Sequence, residues 1–312
     1  MNIDSAQYNI SPDCVQSFTL FNASVAGRLV RLDGVINSIL ERHNFPDAIS
    51  VLLAESLALV ATLGAALKFN GVMTLQTKSN GFVEQIVVDM TTEGNLRAYA
   101  KLQNKAQLVS FLMQNPNPGT RQLLGDGHLI VTVDQNKEDR NKKDRRYQGV
   151  VALTGSSLAD TAHNYFKQSN QQEMVTKLAV SRQKGRWHAA ALTMHWIAAQ
   201  SHKTDETEKD QWHKTVLLHN TVKDKELLDW SLSSVDLLQR LFYEDDVRLF
   251  KPMLLYDKCR CSHERLEKVL VSLNEPDLQE AAKKEGLIRS SCQFCRRTYA
   301  FTLEDVHKAK NR

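Results

Sequence analysis

The 312-residue chain lacks several things, and each absence excludes a class of function. No apolar run suits a bilayer: the longest, Val51–Leu67, is broken by Glu55, Ser56 and Thr62, whereas a span needs about 20 predominantly apolar residues. The opening residues MNIDSAQYNISPDC carry no basic start followed by an apolar block. No signal peptide is therefore expected, and a cytosolic, thiol-reducing setting is. No G-x-S-x-G, H-E-x-x-H or phosphate-cradling glycine loop occurs, so the chain is not expected to be an enzyme. Gly125-Asp126-Gly127 is too short for a dinucleotide fingerprint and reads as a turn. A net charge of +4 is too mild over this length to argue for nucleic acid. Nor are aromatics interleaved with the basic run at 137–146, which reads as a solvated hairpin loop.

What is present is a globular composition, 42% apolar, at a length that allows two domains and a sizeable core. Residues 1–12 read as a loose polar tail. Short alternating runs at 15–33 predict strands, and helical spacing predicts helices over 35–42 and 48–68. Asn70-Gly71 and Asn80-Gly81 look like hairpin turns, so 70–134 reads as antiparallel sheet broken by a loop near 115–120. Further strands are expected at 147–153, 175–180 and 189–197, with a helix after Ser157 or Asp160. The whole of 13–200 is thus an α+β core of mixed helices and antiparallel strands. Residues 201–214 are almost wholly polar and mark a boundary. Leu227, Leu228, Leu232, Val235, Leu238, Leu241 and Phe242 then recur at helical spacing, and Ser233 with Asp236 resembles a capping box. These linker helices, within 201–250, carry narrow apolar stripes and need another surface to stay folded. The last module, 251–312, is too small for a large core without a staple.

That module holds four of the five cysteines, as Cys259-Arg260-Cys261 and Cys292-Gln293-Phe294-Cys295. In a reducing compartment such pairs read as a metal or redox site rather than a disulfide framework. Four thiolates suit tetrahedral zinc, with an iron–sulfur centre as the less fitting occupant. Spacing alone leaves an inert structural ribbon open. Lys258, Arg260, Arg289, Arg296 and Arg297 favour thiolate, the form oxidants attack. Structural zinc supplies on the order of 10–16 kcal/mol, comparable with the stability of a whole domain. Losing it should unfold so small a module. The fifth cysteine, Cys14, has no visible base partner and reads as a buried or incidental thiol. His188, His195 and His202, spaced by seven, are too far apart for one metal and read as ordinary polar positions. His263 is either a supporting partner of the site or a surface residue.

The unequal CxC/CxxC pairing, followed by Tyr299-Ala300-Phe301, resembles the redox-regulated heat-shock protein 33 family. Leu241-Phe242-Tyr243-Glu244-Asp245-Asp246-Val247-Arg248, Tyr147-Gln148-Gly149-Val150-Val151 and Tyr165-Phe166-Lys167-Gln168-Ser169 are also similar to family segments. Asn170 in place of a usual Glu, Ala190-Ala191 in place of a Gly pair, and a longer 135–146 loop depart from it. The resemblance implies an ATP-independent holdase chaperone, inactive when reduced with one zinc on Cys259, Cys261, Cys292 and Cys295. It implies that oxidation pairs Cys259 with Cys261 and Cys292 with Cys295, releases zinc, unfolds the C-terminal module and frees the linker helices. The implied partners are unfolding client proteins and, when oxidised, a second copy; the reduced form would be a monomer, with no membrane or specific nucleic acid involved. The competing reading is a nucleic-acid-binding protein with a structural zinc ribbon. A thiol oxidoreductase using Cys292 and Cys295 is a third, disfavoured because two pairs are present.

Overall fold

The computed structural model describes residues 13–20, 24–66, 70–135, 146–169, 173–197, 206–282 and 286–310. The expected tail 1–12, the charged segment 136–145, Asn170 and residues 201–205 lie outside them. Two compact units, Met1–Asp257 and Lys258–Arg312, make up the chain.

In the first unit, β1 (Cys14–Leu20) and β2 (Val25–Leu32) pair antiparallel, with Phe18 opposite Gly27. Only glycine fits there, because a Cβ at Gly27 would lie 2.1 Å from the Phe18 ring. The Asp13 carboxylate accepts from the backbone N–H groups of Asp33, Gly34 and Val35. It thus satisfies orphan donors at the start of α1 (Gly34–His43) from outside the helix. α2 (Asp47–Ala66) is long and apolar, with a mean hydropathy of 1.9. It is the central core helix: 78% of its most apolar window is buried, packed against strands from both large sheets.

The expected antiparallel region holds β3 (Gly71–Ser79), β4 (Val83–Thr91) and β5 (Asn95–Leu102), then β6 (Gly127–Gln135) and β7 (Arg146–Ala152). Asn80-Gly81 lies in the β3–β4 turn as expected, whereas Asn70-Gly71 joins α2 to β3 and makes no hairpin. Two helices that the sequence reading assigned to sheet and loop interrupt the run, α3 (Lys105–Gln114) and α4 (Thr120–Leu124). α3 escaped notice because Leu108 is its one buried side chain while Val109 and Met113 face solvent. Asn104 caps it, its Oδ1 accepting from Ala106 and Gln107 N–H at 3.1 Å.

Ser157 and Asp160 both cap α5 (Leu158–Ser169). The Asp160 N–H donates to Ser157 Oγ, and Asp160 Oδ2 accepts from the Ser156 and Ser157 N–H groups. A Cβ at Gly149 would meet the Tyr165 hydroxyl at 2.5 Å. The glycine of one family-like segment therefore admits the tyrosine of another.

β8 (Met174–Gln183) and β9 (Arg186–Trp196) complete the strands of the sequence-read core. Ala190 and Ala191, the departures from a glycine pair, are fully buried on opposite faces of β9.

Next come three helices, α6 (Glu206–Thr221), α7 (Asp224–Leu227) and α8 (Ser234–Leu241). The polar stretch read as linker is therefore helical from Glu206. Its inward face is partly polar, with Thr215 and His219 each 2% exposed beside Trp212, which hid the helical period. Ser233 caps α8 as expected, accepting from the Asp236 N–H at 3.0 Å, while its hydroxyl donates to the Asp236 carboxylate.

Three short strands end the unit: β10 (Val247–Leu249), β11 (Met253–Leu254) and β12 (Tyr256–Asp257). β10 and β11 pair with β1, and β12 pairs parallel with β5. Residues 251–257 thereby join the first unit. One sheet runs β10-β1-β2-β9-β8 and the other β12-β5-β4-β3-β6-β7.

Helices α6–α8 lie on one face of the first sheet. Phe18, Leu29, Leu192 and Met194 meet Trp212, Leu227, Leu238 and Phe242 there. Polar pins hold this cover. His219 Nε2 donates to Leu192 O at 3.0 Å, and Lys177 Nζ donates to Val222 O. Arg31, buried on β2, donates to Leu232 O and Glu226 O and stacks on Trp230 with 5.4 Å to the ring centre.

The second unit comprises α9 (His263–Val271), α10 (Glu275–Ala282), the hairpin of β13 (Leu287–Ser291) and β14 (Thr298–Thr302), and α11 (Leu303–Lys310). Its buried cluster is Leu270, Leu278, Ala282, Ile288, Phe301 and Val306. Caps hold its helix ends: Ser262 accepts from the Arg265 N–H, and Thr302 and Asp305 cap α11 reciprocally at 3.0 Å.

Candidate metal centre

Two backbone turns bring the sulfurs together. Cys259 and Cys261 lie in the irregular stretch before α9, just ahead of the Ser262 cap. Cys292 and Cys295 lie in the loop between β13 and β14. There the Arg296 N–H donates to Cys292 O, and the Cys292 N–H donates to Arg297 O, both at 2.9 Å. Arg296 takes the left-handed conformation, φ 60°, that the tight reversal needs. Ser291 opposite Thr298 closes the hairpin, their hydroxyls 2.8 Å apart.

The four sulfurs lie within 4.8 Å of one another. Cys259 Sγ is 3.7 Å from Cys292 Sγ, and Cys261 Sγ is 3.3 Å from Cys295 Sγ. Sulfurs bound about 2.3 Å from a tetrahedral zinc stand about 3.8 Å apart. The quartet could hold such an ion with adjustments of up to about 1 Å in the sulfur spacings, and soft thiolates suit zinc. Cys292 is buried and the other three are half-buried, as in a closed site without an open coordination position.

Without metal the thiols ionise unequally. Burial raises Cys261, but hydrogen bonds with the Tyr299 hydroxyl and with the other three thiols outweigh it and bring it down to about 7. Burial raises Cys295, the Arg297 backbone opposes, and the Cys261 and Cys259 sulfurs push further, to about 12. A group of thiols that share hydrogens gives up the first easily and the rest reluctantly.

Among the cations flagged in sequence, Arg297 is drawn electrostatically by Tyr299, Cys295 and Cys261. Arg289 sits on β13 opposite Ala300. Tyr299, visible in the sequence only as part of a family-like segment, has its hydroxyl 3.2 Å from Cys261 Sγ. Its one legible signal is alternation on β14 with buried Phe301, which keeps both rings on one side of the strand. His263 is exposed, its ring packing on Phe301 at 4.3 Å between centres.

The other flagged residues stand apart from the quartet. Cys14 is buried opposite Arg31, and burial pushes its thiol up to about 11 against the opposing pull of Arg31. It is inert at neutral pH. His188 lies by Asp33 and Trp230. His195 contacts Arg28 at 3.3 Å, and burial, aided by that cation, lowers it to about 4. His202 lies outside the described residues. Among the described residues, the four cysteines form the one cluster of this kind able to hold a metal.

A family model for Hsp33 protein matches residues 13–302. The chain is 36% identical over 291 residues to the 33 kDa chaperonin of Caulobacter vibrioides, covering 92% of this chain and 94% of that one. It is 31% identical to the 33 kDa chaperonin of Proteus mirabilis, over 95% of both chains. A solved structure of the Thermotoga maritima 33 kDa chaperonin, a heat shock protein 33 homolog, has a TM-score of 0.79. That likeness covers 96% of this chain and 98% of the other at 20% identity, and it is one of fold.

Proposed function

The chain belongs to the Hsp33 family of chaperones, and from that premise we propose that it is a redox-switched, ATP-independent holdase of the cytosol rather than an enzyme. The observation that carries the reading is the four-sulfur cluster, of zinc-like dimensions, in a unit whose described core is six side chains.

Cys259, Cys261, Cys292 and Cys295 would hold the ion. Bound there, zinc supplies a closed tetrahedral staple and keeps four thiolates charged and in place. In the reduced state the chaperone is silent and monomeric. Oxidation then joins Cys259 to Cys261 and Cys292 to Cys295. Each disulfide yields two electrons to one peroxide; with four protons taken up overall, two peroxides leave as four waters. A disulfide draws its sulfurs to about 2.05 Å, a spacing no four-thiolate zinc site retains. The four cysteines would then no longer hold an ion, and the module would unfold for want of a core.

The module follows directly on β12, the strand that ends the first unit. Its unfolding is proposed to free α6–α8 from their sheet. Release would uncover Phe18, Leu29, Leu192 and Met194 together with the helices' own apolar stripe, a surface suited to unfolding clients. The oxidised form pairs with a second copy through the first unit.

The double variant Cys259→Ser/Cys292→Ser tests the reading. It keeps one thiol from each pair and can form neither disulfide. It should bind zinc poorly and should suppress client aggregation to the same degree with and without peroxide. A variant that still switches on only with oxidant defeats the mechanism.

A further inference from the structure

The zinc-switch reading leaves open what sets the rate of the switch, and on that reading one side chain stands out. We infer that Tyr299 donates its phenolic hydrogen to the Cys261 sulfur and thereby governs how firmly that thiolate is held and how fast it reacts.

The direction of the bond follows from counting hydrogens. The Tyr299 oxygen lies 3.2 Å from Cys261 Sγ. A metal-bound thiolate carries no hydrogen and can only accept, so the phenol's single hydrogen goes to the sulfur. The bond therefore runs from Tyr299 to Cys261, a neutral donor to an anionic acceptor, the charge-assisted arrangement that strengthens it. The Arg297 cation interacts electrostatically with both Tyr299 and Cys261 and favours the same polarisation.

Position makes the bond stiff. Tyr299 is fixed on β14 opposite Ser290, and the ring of His263 approaches its edge. The contact spans 38 residues of chain, tying the stretch before α9 to the hairpin that carries the second cysteine pair. A hydrogen bond into a ligating sulfur draws off electron density. Attack by that sulfur on an electrophile slows, and the bonded arrangement dissociates less readily. Loss of such outer partners typically changes metal affinity 10–100-fold.

The test uses the full-length reduced chain loaded with zinc. Tyr299→Phe keeps the ring and deletes the donor; Arg297→Met keeps the donor and deletes its polariser. Two rates are read: zinc transfer to a metallochromic chelator, and alkylation of each cysteine followed by peptide mass spectrometry. Tyr299→Phe should speed zinc transfer about tenfold and raise alkylation of Cys261 relative to Cys295. Arg297→Met should move both readouts the same way by less.

The inference is overturned if Tyr299→Phe binds one zinc yet changes transfer by less than about twofold. It is equally overturned if all four cysteines accelerate together, the mark of general loosening. A parent chain that holds no zinc would sink the metal reading itself, whereas a zinc-holding parent with an unresponsive Tyr299→Phe would sink this inference alone.

Discussion

The two units of this chain solve the same problem by opposite means. Met1–Asp257 buries a central helix, α2, against two six-stranded sheets and adds a second apolar layer under α6–α8. Lys258–Arg312 has one two-stranded hairpin, three short helices and a core of six described side chains. A chain segment of that size falls below the roughly 70–80 residues at which a hydrophobic core alone is dependable. The same unit carries the four-sulfur cluster. On the proposed reading, the difference allots robustness and switchability to separate units, with apolar burial giving the first and a removable staple the second.

Phenylalanine truncation should break this comparison most visibly. Phe18 and Phe301 are each essentially fully buried, one in each unit, and Phe→Ala at such a site costs about 3–5 kcal/mol. Phe18→Ala should lower the urea midpoint of the first unit yet leave it folded. Phe301→Ala should leave the second unit unfolded unless zinc is present in excess. All four tryptophans lie in 1–257, so tryptophan fluorescence follows the first unit, and protease cutting within 258–312 follows the second. Equal tolerance in the two units would contradict the division of labour.

An intermediate effect is expected from pH in the first unit. Burial raises Glu55 to about 7, so its contribution is full below about 4.5 and is lost as pH rises through 7. Burial lowers His195 to about 4, so its contribution is full above about 6.5 and is lost as pH falls through 4. The two slopes oppose each other between pH 4.5 and 6.5, and His219, also lowered by burial, adds to the His195 side. Glu55→Gln should stabilise the unit at pH 8 by up to about 3 kcal/mol and expose the His195 slope as acid is added. Urea midpoints at three pH values decide it; parallel profiles for parent and variant would refute the assignment.

The smallest effect probes the cover. Arg31→Met removes the side-chain donor to Leu232 O and Glu226 O, of which Glu226 O keeps the Asp229 N–H, a loss of about 1–3 kcal/mol confined to 224–241. Hydrogen exchange should quicken at 224–241 and stay unchanged in β3 and β4. Uniform quickening would show that the cover is integral to the core.

How much of this was legible in the chain depended on what each element buries. Strands that alternate cleanly, such as β3, could be read directly, as could α2 from its continuous apolar content. α6 could not, because Thr215 and His219 occupy its inner face. α3 turns Val109 and Met113 outward and so shows no apolar stripe. β10–β12, at two or three residues each, are too short to carry any period. The cysteine quartet was legible from spacing because ligand chemistry fixes both residue type and number. Tyr299 was not, since its partner sulfur is 38 residues away and only the folded hairpin brings them together.

Zinc content and client protection, measured on the same sample before and after peroxide, test the central claim most directly. The account predicts one zinc and four reduced thiols at rest, then loss of zinc in step with the appearance of aggregation suppression. Protection that appears with zinc still bound, or zinc that leaves without any gain in protection, would contradict it.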